Sequence, residues 1–370
     1  MESDLVDEEP SSPPPLLVVS PMTPTSQSSP FLTPKSQKSP MASPQTPESR
    51  RSFAPPTSSP ITLGGDECKL WHWKCSGRIR GVVVILHGLG SHARFPTVAI
   101  AAEAVAAGGY SVIAPDLPGH GESEGLRGFI YSADMLEEAG LAVVRAAREM
   151  HPKEPVFLLG SSMGGAICVR CALALAEAHI DIAGLVLLAP MLAPSASPPA
   201  RLLLGALSYT PLCRLALIPS SATSNSAQYA DPAVLTLIEE DPLAYKGSLR
   251  IGSAAAVLDL GSRCESTLES LRCPFLCMLA DREHVLGPTA KAAAERMYER
   301  AATPPSMRCL KRYDALHGLL CEPEPLRSLI VGDILAWLGE RANARGVGRL
   351  RPMSREVSTR ALAAEAAQLV

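Results

Sequence analysis

The sequence predicts an α/β protein with a mostly parallel central sheet and helices on both of its faces. Three observations carry this expectation. Short runs of Val, Ile and Leu, such as residues 81–86 and 156–159, lack a polar face and read as strands buried on both sides. Ala-rich or amphipathic stretches of helical length separate these runs, so strand and helix alternate. Finally, one strand-to-helix junction carries Gly160-Ser161-Ser162-Met163-Gly164, a G-x-S-x-G pattern. Strand, tight turn and helix form the context in which such a serine is held in strained backbone angles and exposed at the C-terminal edge of a sheet. Glycine fits at 160 and 164 because side chains there would meet neighbouring backbone. The helix that follows presents free N–H groups toward developing negative charge.

Length and composition narrow the classes. A chain of 370 residues with 46% hydrophobic residues can bury a large core. A net charge of −3 gives no reason to expect nucleic acid. The ten cysteines are scattered and read as free thiols of a reducing, cytoplasmic compartment. Cys168 and Cys171 form a single C-x-x-C with no second pair at zinc-site spacing, so packing on a helix is expected and no metal or other cofactor is. No run of 18 apolar residues suggests a spanning helix, and the acidic start Met1-Glu2-Ser3-Asp4 is unlike a secretory or transit signal.

Residues 1–60 differ from the rest. They hold 14 of the 34 prolines and abundant Ser and Thr, and they are expected to be a disordered tail. Nine Ser-Pro or Thr-Pro pairs, at 12, 20, 23, 29, 33, 39, 43, 46 and 59, suit proline-directed kinases, although this composition alone makes such pairs frequent. The folded part is expected from about 61. Residues 69–75 and 81–86 read as a hairpin leading into a buried strand. A helix over 96–107, a strand over 110–116, a glycine-rich loop over 117–123 and a helix over 132–149 follow. The elbow strand and its helix come next, then a strand near 182–190.

The alternation breaks at Met191. Residues 191–245 are rich in Pro, Ser and Leu with no strand of their own, which marks a cap or lid insertion. Helix 248–260, strand 274–280, helix 289–301, strand 307–313 and helix 326–341 complete the core, 61–190 and 246–344. Residues 345–370 read as a basic linker and one short helix.

A serine hydroxyl needs a base within hydrogen-bond reach, and the base needs an orienting acid. Asp281 ends the strand 274–280 at its C-terminal tip, and His317 lies in the loop after the last strand. The order Ser162, Asp281, His317 is nucleophile, acid, base. Asp314 competes as the acid; His87, His120 and His284 compete as the base. Two backbone N–H groups should form the oxyanion hole: Met163, next to the serine, and Leu89, flanked by Gly88 and Gly90.

With these residues placed, the chain resembles the α/β-hydrolase superfamily, and within it the monoacylglycerol lipase and lysophospholipase group, especially plant-type members. The matching pieces are His87-Gly88-Leu89-Gly90, Asp116 to Gly128, Gly160 to Gly165, Asp241-Pro242-Leu243, Ala280-Asp281-Arg282 and Leu316-His317. The likeness departs at Ser161, where the group commonly has His or Gln, and across most of 191–245. It implies an α/β-hydrolase fold with an inserted cap over an acyl-binding tunnel. It also implies a serine esterase cleaving one acyl ester of a glyceride or lysolipid, with Ser162, Asp281 and His317 as triad and Leu89 and Met163 as oxyanion donors.

Monoacylglycerol is therefore the expected substrate. A lysophospholipase or acyltransferase using the same triad, or a non-catalytic binding protein on this fold, are the alternatives. The apolar segments 202–207 and 212–218 read as lining an acyl pocket, with some dipping into a membrane surface, or simply as cover for the sheet edge.

Overall fold

Runs without a polar face become the centre of the sheet. The computed structural model describes residues 55–193, 196–220 and 225–345. The elements are β1 (Thr57–Leu63), β2 (Asp66–Trp73), β3 (Val82–Leu86), α1 (Pro96–Ala107), β4 (Ser111–Pro115), α2 (Ala133–Met150), β5 (Val156–Ser161), α3 (Met163–Glu177) and β6 (Gly184–Leu188). After the insertion come α7 (Ile251–Thr267), β9 (Phe275–Ala280), α8 (Gly287–Arg300), β10 (Arg308–Tyr313) and α9 (Leu326–Arg345). Among the described residues these strands form one sheet in the order β1-β2-β4-β3-β5-β6-β9-β10. Only β2 runs against the others in it.

Alternate side chains of the central strands feed two cores. Val82, Val84 and Leu86 of β3 and Leu158 of β5 pack on one face with α2, α3 and α7. Val83, Ile85, Phe157 and Leu159 pack on the other, against α1 and α9. All five residues of β3 are buried, which explains its unbroken Val-Ile-Leu sequence. Ser132 caps α2, its hydroxyl accepting from the Met135 N–H at 3.1 Å.

The pairing of the N-terminal strands differs from the sequence expectation. The hairpin is β1 with β2, turning at Gly64-Gly65, and β3 pairs in parallel with β4 and β5 instead. Strand β1 is an edge strand whose Ser and Pro residues hide it from a pattern search; Pro60 is tolerated there because an edge leaves one row of backbone groups unpaired. Among the described residues regular structure begins at Thr57, and the Ser59 hydroxyl pairs with His72 Nε2 at 2.9 Å. The other eight Ser/Thr-Pro pairs, most of the expected tail, and all but the first residue of the expected 345–370 extension lie outside the described residues.

The insertion contains α4 (Pro198–Ser208), β7 (Ala216–Ile218), α5 (Asn225–Gln228) and α6 (Pro232–Glu240). Contrary to expectation it has a short strand: β7 pairs antiparallel with β8 (Leu249–Arg250). Every described cysteine is a free thiol. Among the described residues no helix is long and apolar enough to cross a membrane.

Candidate active site

The elbow follows from the residues around it. Strand β5 ends at Ser161 and α3 begins at Met163, leaving Ser162 alone to turn the chain. Its backbone has φ 55° and ψ −118°, a strained combination for a residue with a side chain. Neighbouring bonds hold it there. The Ser162 N–H donates to Leu188 O at 3.0 Å, and its carbonyl accepts from Gly165, Ala166 and Met191. The flanking glycines are obligatory by contact. A Cβ at Gly160 would lie 2.3 Å from Gly164 O, and one at Gly164 would lie 2.0 Å from Leu86 O.

The loop after β3 packs on this turn. A Cβ at Gly88 would come 3.5 Å from Ser162 Cβ, so the Gly88-Leu89-Gly90 backbone runs beside the serine. Gly90 takes φ +73°, a conformation that suits glycine. Met163 is the first residue of α3, where a backbone N–H has no partner within the helix. The backbone before Leu89 thus lies beside Ser162, and Met163 directly follows it.

The acid is where structure and sequence reading part. Asp281 does follow β9, with its N–H donating to Tyr313 O at 2.9 Å. Its side chain, however, is 44% exposed and turns to Lys291 Nζ at 3.3 Å and Arg312 at 3.6 Å. His317 instead meets Glu283, two residues further on. Nδ1 of His317 lies 2.6 Å from Glu283 Oε2, and the two side chains are only 5% and 10% exposed. Burial pushes the Glu283 carboxyl up. The hydrogen bond from His317, its charge, and the N–H groups of Val285 and Leu286 outweigh this and hold it below the usual glutamate range. An ionised Glu283 accepts the proton of Nδ1, which leaves His317 Nε2 free to take another.

The turn sends the two carboxylates to different sides. Arg282 N–H bonds Ala315 O at 3.1 Å, zipping the turn to the histidine loop. The side chains on either side of it then part, Asp281 to solvent and Glu283 to the interior. Glutamate is an accepted acid in this order of residues. The signal in the sequence was therefore a second carboxylate within reach of the same strand end.

The competing residues fall elsewhere. Asp314 is 86% exposed and paired with Arg282 at 2.9 Å, and His284 is exposed. His87 and His120, the latter within the glycine-rich loop, are both buried with ring centroids 5.2 Å apart. Desolvation holds the His87 ring well below its ordinary value and lowers His120 to about 4. His87 acts structurally: Nε2 accepts from Leu117 N–H at 3.1 Å, and Nδ1 donates to Gly88 O at 2.8 Å.

Asp116 organises the same loop, although in the sequence it stands only as part of a motif. It is 1% exposed and accepts from Trp71 Nε1, Ala93 N–H and Glu122 N–H at 3.1, 2.7 and 2.9 Å. Those three donors come from β2, the loop after β3 and the glycine-rich loop, so one carboxylate ties three segments together. A separate cavity of about 890 Å³ opens between Thr62, Gly119, Phe129, Met135, Arg145 and Arg214; Ser162, Glu283 and His317 do not line it.

The insertion keeps much of its apolar surface exposed. No residue of α4 is buried, and Leu202 and Tyr209 are 77% and 93% exposed. Leu203, Leu212, Leu215 and Leu217 are exposed as well. Leu204 alone among the leucines of α4 packs against the core.

Comparison with known proteins agrees with this architecture. Residues 77–324 match the family described as "Serine aminopeptidase, S33". The chain is 28% identical over 281 residues to monoglyceride lipase of Rattus norvegicus, covering 74% of this chain and 88% of that one. It is 30% identical over 262 residues to monoacylglycerol lipase of Mycolicibacterium smegmatis, covering 70% and 88% respectively. Among solved structures, a soluble variant of monoglyceride lipase from Saccharomyces cerevisiae superposes with a TM-score of 0.67 at 16% identity, covering 80% of this chain and 98% of that one, a likeness of fold. The eight-stranded sheet, the serine elbow and the match over 77–324 together make the chain a member of the serine aminopeptidase S33 family, on the α/β-hydrolase fold.

Proposed function

We propose that the protein hydrolyses the single acyl ester of a monoacylglycerol through an acyl-enzyme on Ser162, with His317 as base and Glu283, not Asp281, as the orienting acid. The chain is a carboxylic ester hydrolase of its family. The buried 2.6 Å pair of His317 and Glu283, on the sheet edge that also carries the strained Ser162, is the observation that supports the mechanism most.

In the first half-reaction, Ser162 Oγ attacks the ester carbonyl as His317 Nε2 takes its proton. Glu283 stabilises the imidazolium through Nδ1. The developing oxyanion is met by the N–H groups of Leu89 and Met163. His317 then returns the proton to the departing glycerol oxygen, the C–O bond breaks, and the acyl group remains on Ser162. Water, deprotonated by the same histidine, releases the fatty acid and restores the serine.

A lipid substrate is supported by the monoglyceride and monoacylglycerol lipases among the relatives and by the apolar cap. The exposed leucines of α4 and β7 favour contact with a lipid surface over pocket lining for those residues. The reading is tested by hydrolysis of monoacylglycerols, lysophospholipids, small aryl esters and an aminoacyl arylamide, with an alcohol acceptor added to detect acyl transfer. Preferred turnover of monoacylglycerol, abolished in Ser162→Ala, is expected. Unchanged hydrolysis in Ser162→Ala would refute the mechanism; preference for a lysophospholipid, or for acyl transfer, would refute the substrate assignment.

A further inference from the structure

The returning limb of the cap, residues 228–245, touches both loops to which the mechanism assigns chemistry. At its C-terminal end, Tyr245 N–H donates to Gly90 O at 2.8 Å, one residue from the Leu89 donor. A Cβ on Gly90 would sit 2.8 Å from Tyr245 O, so the two backbones are in contact. Beside them His92 Nε2 donates to Asp241 Oδ2 at 2.7 Å, with side chains 3% and 15% exposed. The direction of this bond is fixed, because His92 Nδ1 accepts from Arg94 N–H at 3.2 Å. Asp241 is itself oriented by the Leu243 N–H on Oδ1, at 2.8 Å.

At the other end of the limb, Gly318 N–H donates to Gln228 O at 2.8 Å, one residue after His317. A Cβ on Gly318 would lie 2.4 Å from the Tyr229 ring, so only glycine allows this approach. Asp231 N–H reaches Cys321 O at 3.3 Å, and the Asp231 carboxylate pairs with Arg327. Between the two ends, Val234 and Ile238 of α6 share a small core with Phe95, from the loop after β3, and Cys321, from the loop after β10.

We propose that residues 228–245 are a strap that sets the spacing between the oxyanion loop and the base loop, with Asp241 and His92 as its positioning residues. The inference rests on the assignment of Leu89 and His317 above. It separates the two halves of the insertion. The limb carrying α4 presents apolar surface, whereas the limb carrying α6 belongs to the catalytic frame. Neither positioning residue touches substrate; each acts through the Leu89 N–H.

The test is steady-state hydrolysis of a small soluble aryl ester and of a monoacylglycerol by Asp241→Ala and Asp241→Asn, with folding checked by near-UV circular dichroism. Misplacing one oxyanion donor should lower kcat of Asp241→Ala about tenfold or more on both esters while KM stays within about twofold. Asparagine keeps an acceptor for His92 Nε2–H and should restore kcat to within about threefold of the wild type. An unchanged kcat, or a rise in KM confined to the lipid ester, overturns the strap. So does failure of asparagine to rescue a folded protein. If Asp241→Ala does not fold, His92→Ala carries the same expectations and the same refutations. A wild-type enzyme inactive on every ester would overturn the esterase reading and the strap with it; an active wild type with an indifferent Asp241→Ala overturns the strap alone.

Discussion

A carboxylate that is 44% exposed and already paired with a lysine and an arginine is poorly placed to orient a buried imidazole. Asp281→Asn should therefore change kcat by less than about threefold, since exposed ion pairs contribute little. Glu283→Gln should lower kcat by about 10²–10⁴ with little change in KM, because an amide no longer fixes the imidazole tautomer or stabilises its charged form. Steady-state kinetics on one ester decides between them. On the proposed assignment, the sequence marks the strand end that carries the acid but not which of its two carboxylates meets His317. Which of two acids two residues apart faces inward depends on how Arg282 zips to Ala315, and no residue pattern encodes that contact. Ser162 and His317 stand out as candidates because chain order and loop position suffice to pick them. A second residue-scale effect comes from His120, lowered by burial from 6.5 to about 4. Between those values the unfolded chain binds a proton that the folded one refuses, so stability rises with pH and is lost as pH falls from about 6.5 toward 4. The loss from this group is on the order of 3 kcal/mol. Urea denaturation at pH 7 and pH 4.5 should show a smaller loss in His120→Asn, which retains a donor for Pro118 O; an identical loss would remove His120 from the account.

At the scale of the element, the elbow depends on glycines that backbone contact forbids from growing. Gly164→Ala places a Cβ 2.0 Å from a main-chain oxygen and should cost about 3 kcal/mol or more of stability. Gly205→Ala, in α4 with nothing within 4 Å, should be stabilising by about 0.5–1 kcal/mol. Urea midpoints of the two variants should therefore move in opposite directions, and similar midpoints would contradict the reading of the elbow. Elements with a clear periodicity or an unbroken apolar run were legible, as α1, α2, β3 and β5 show. Strand β1 was not, because an edge strand that is mostly exposed has neither signal. Nor was β7, whose three residues pair only with two of β8. The partner of β2 also escaped the sequence, since pairing joins residues that are distant along the chain and local patterning cannot choose among strands of similar composition.

At the scale of the whole molecule, the C-terminal sheet edge gathers the elbow, the Glu283 turn and the His317 loop from β5, β9 and β10, and the insertion adds an apolar outer surface. If that surface meets lipid, flotation with phospholipid vesicles should recover the wild-type protein, and Leu202→Ser with Leu203→Ser should weaken binding about tenfold or more. Equal recovery of both proteins would contradict the contact. The central claim is that one strained serine, served by a buried histidine and glutamate, forms the acyl-enzyme. A fluorophosphonate probe followed by peptide mass mapping tests it most directly, because the probe reacts only with a serine made nucleophilic by its surroundings. A single adduct is expected on Ser162, absent from Ser162→Ala, formed far more slowly in Glu283→Gln, and formed at nearly the wild-type rate in Asp281→Asn. An adduct on another residue, or labelling that Asp281→Asn slows and Glu283→Gln does not, would contradict it.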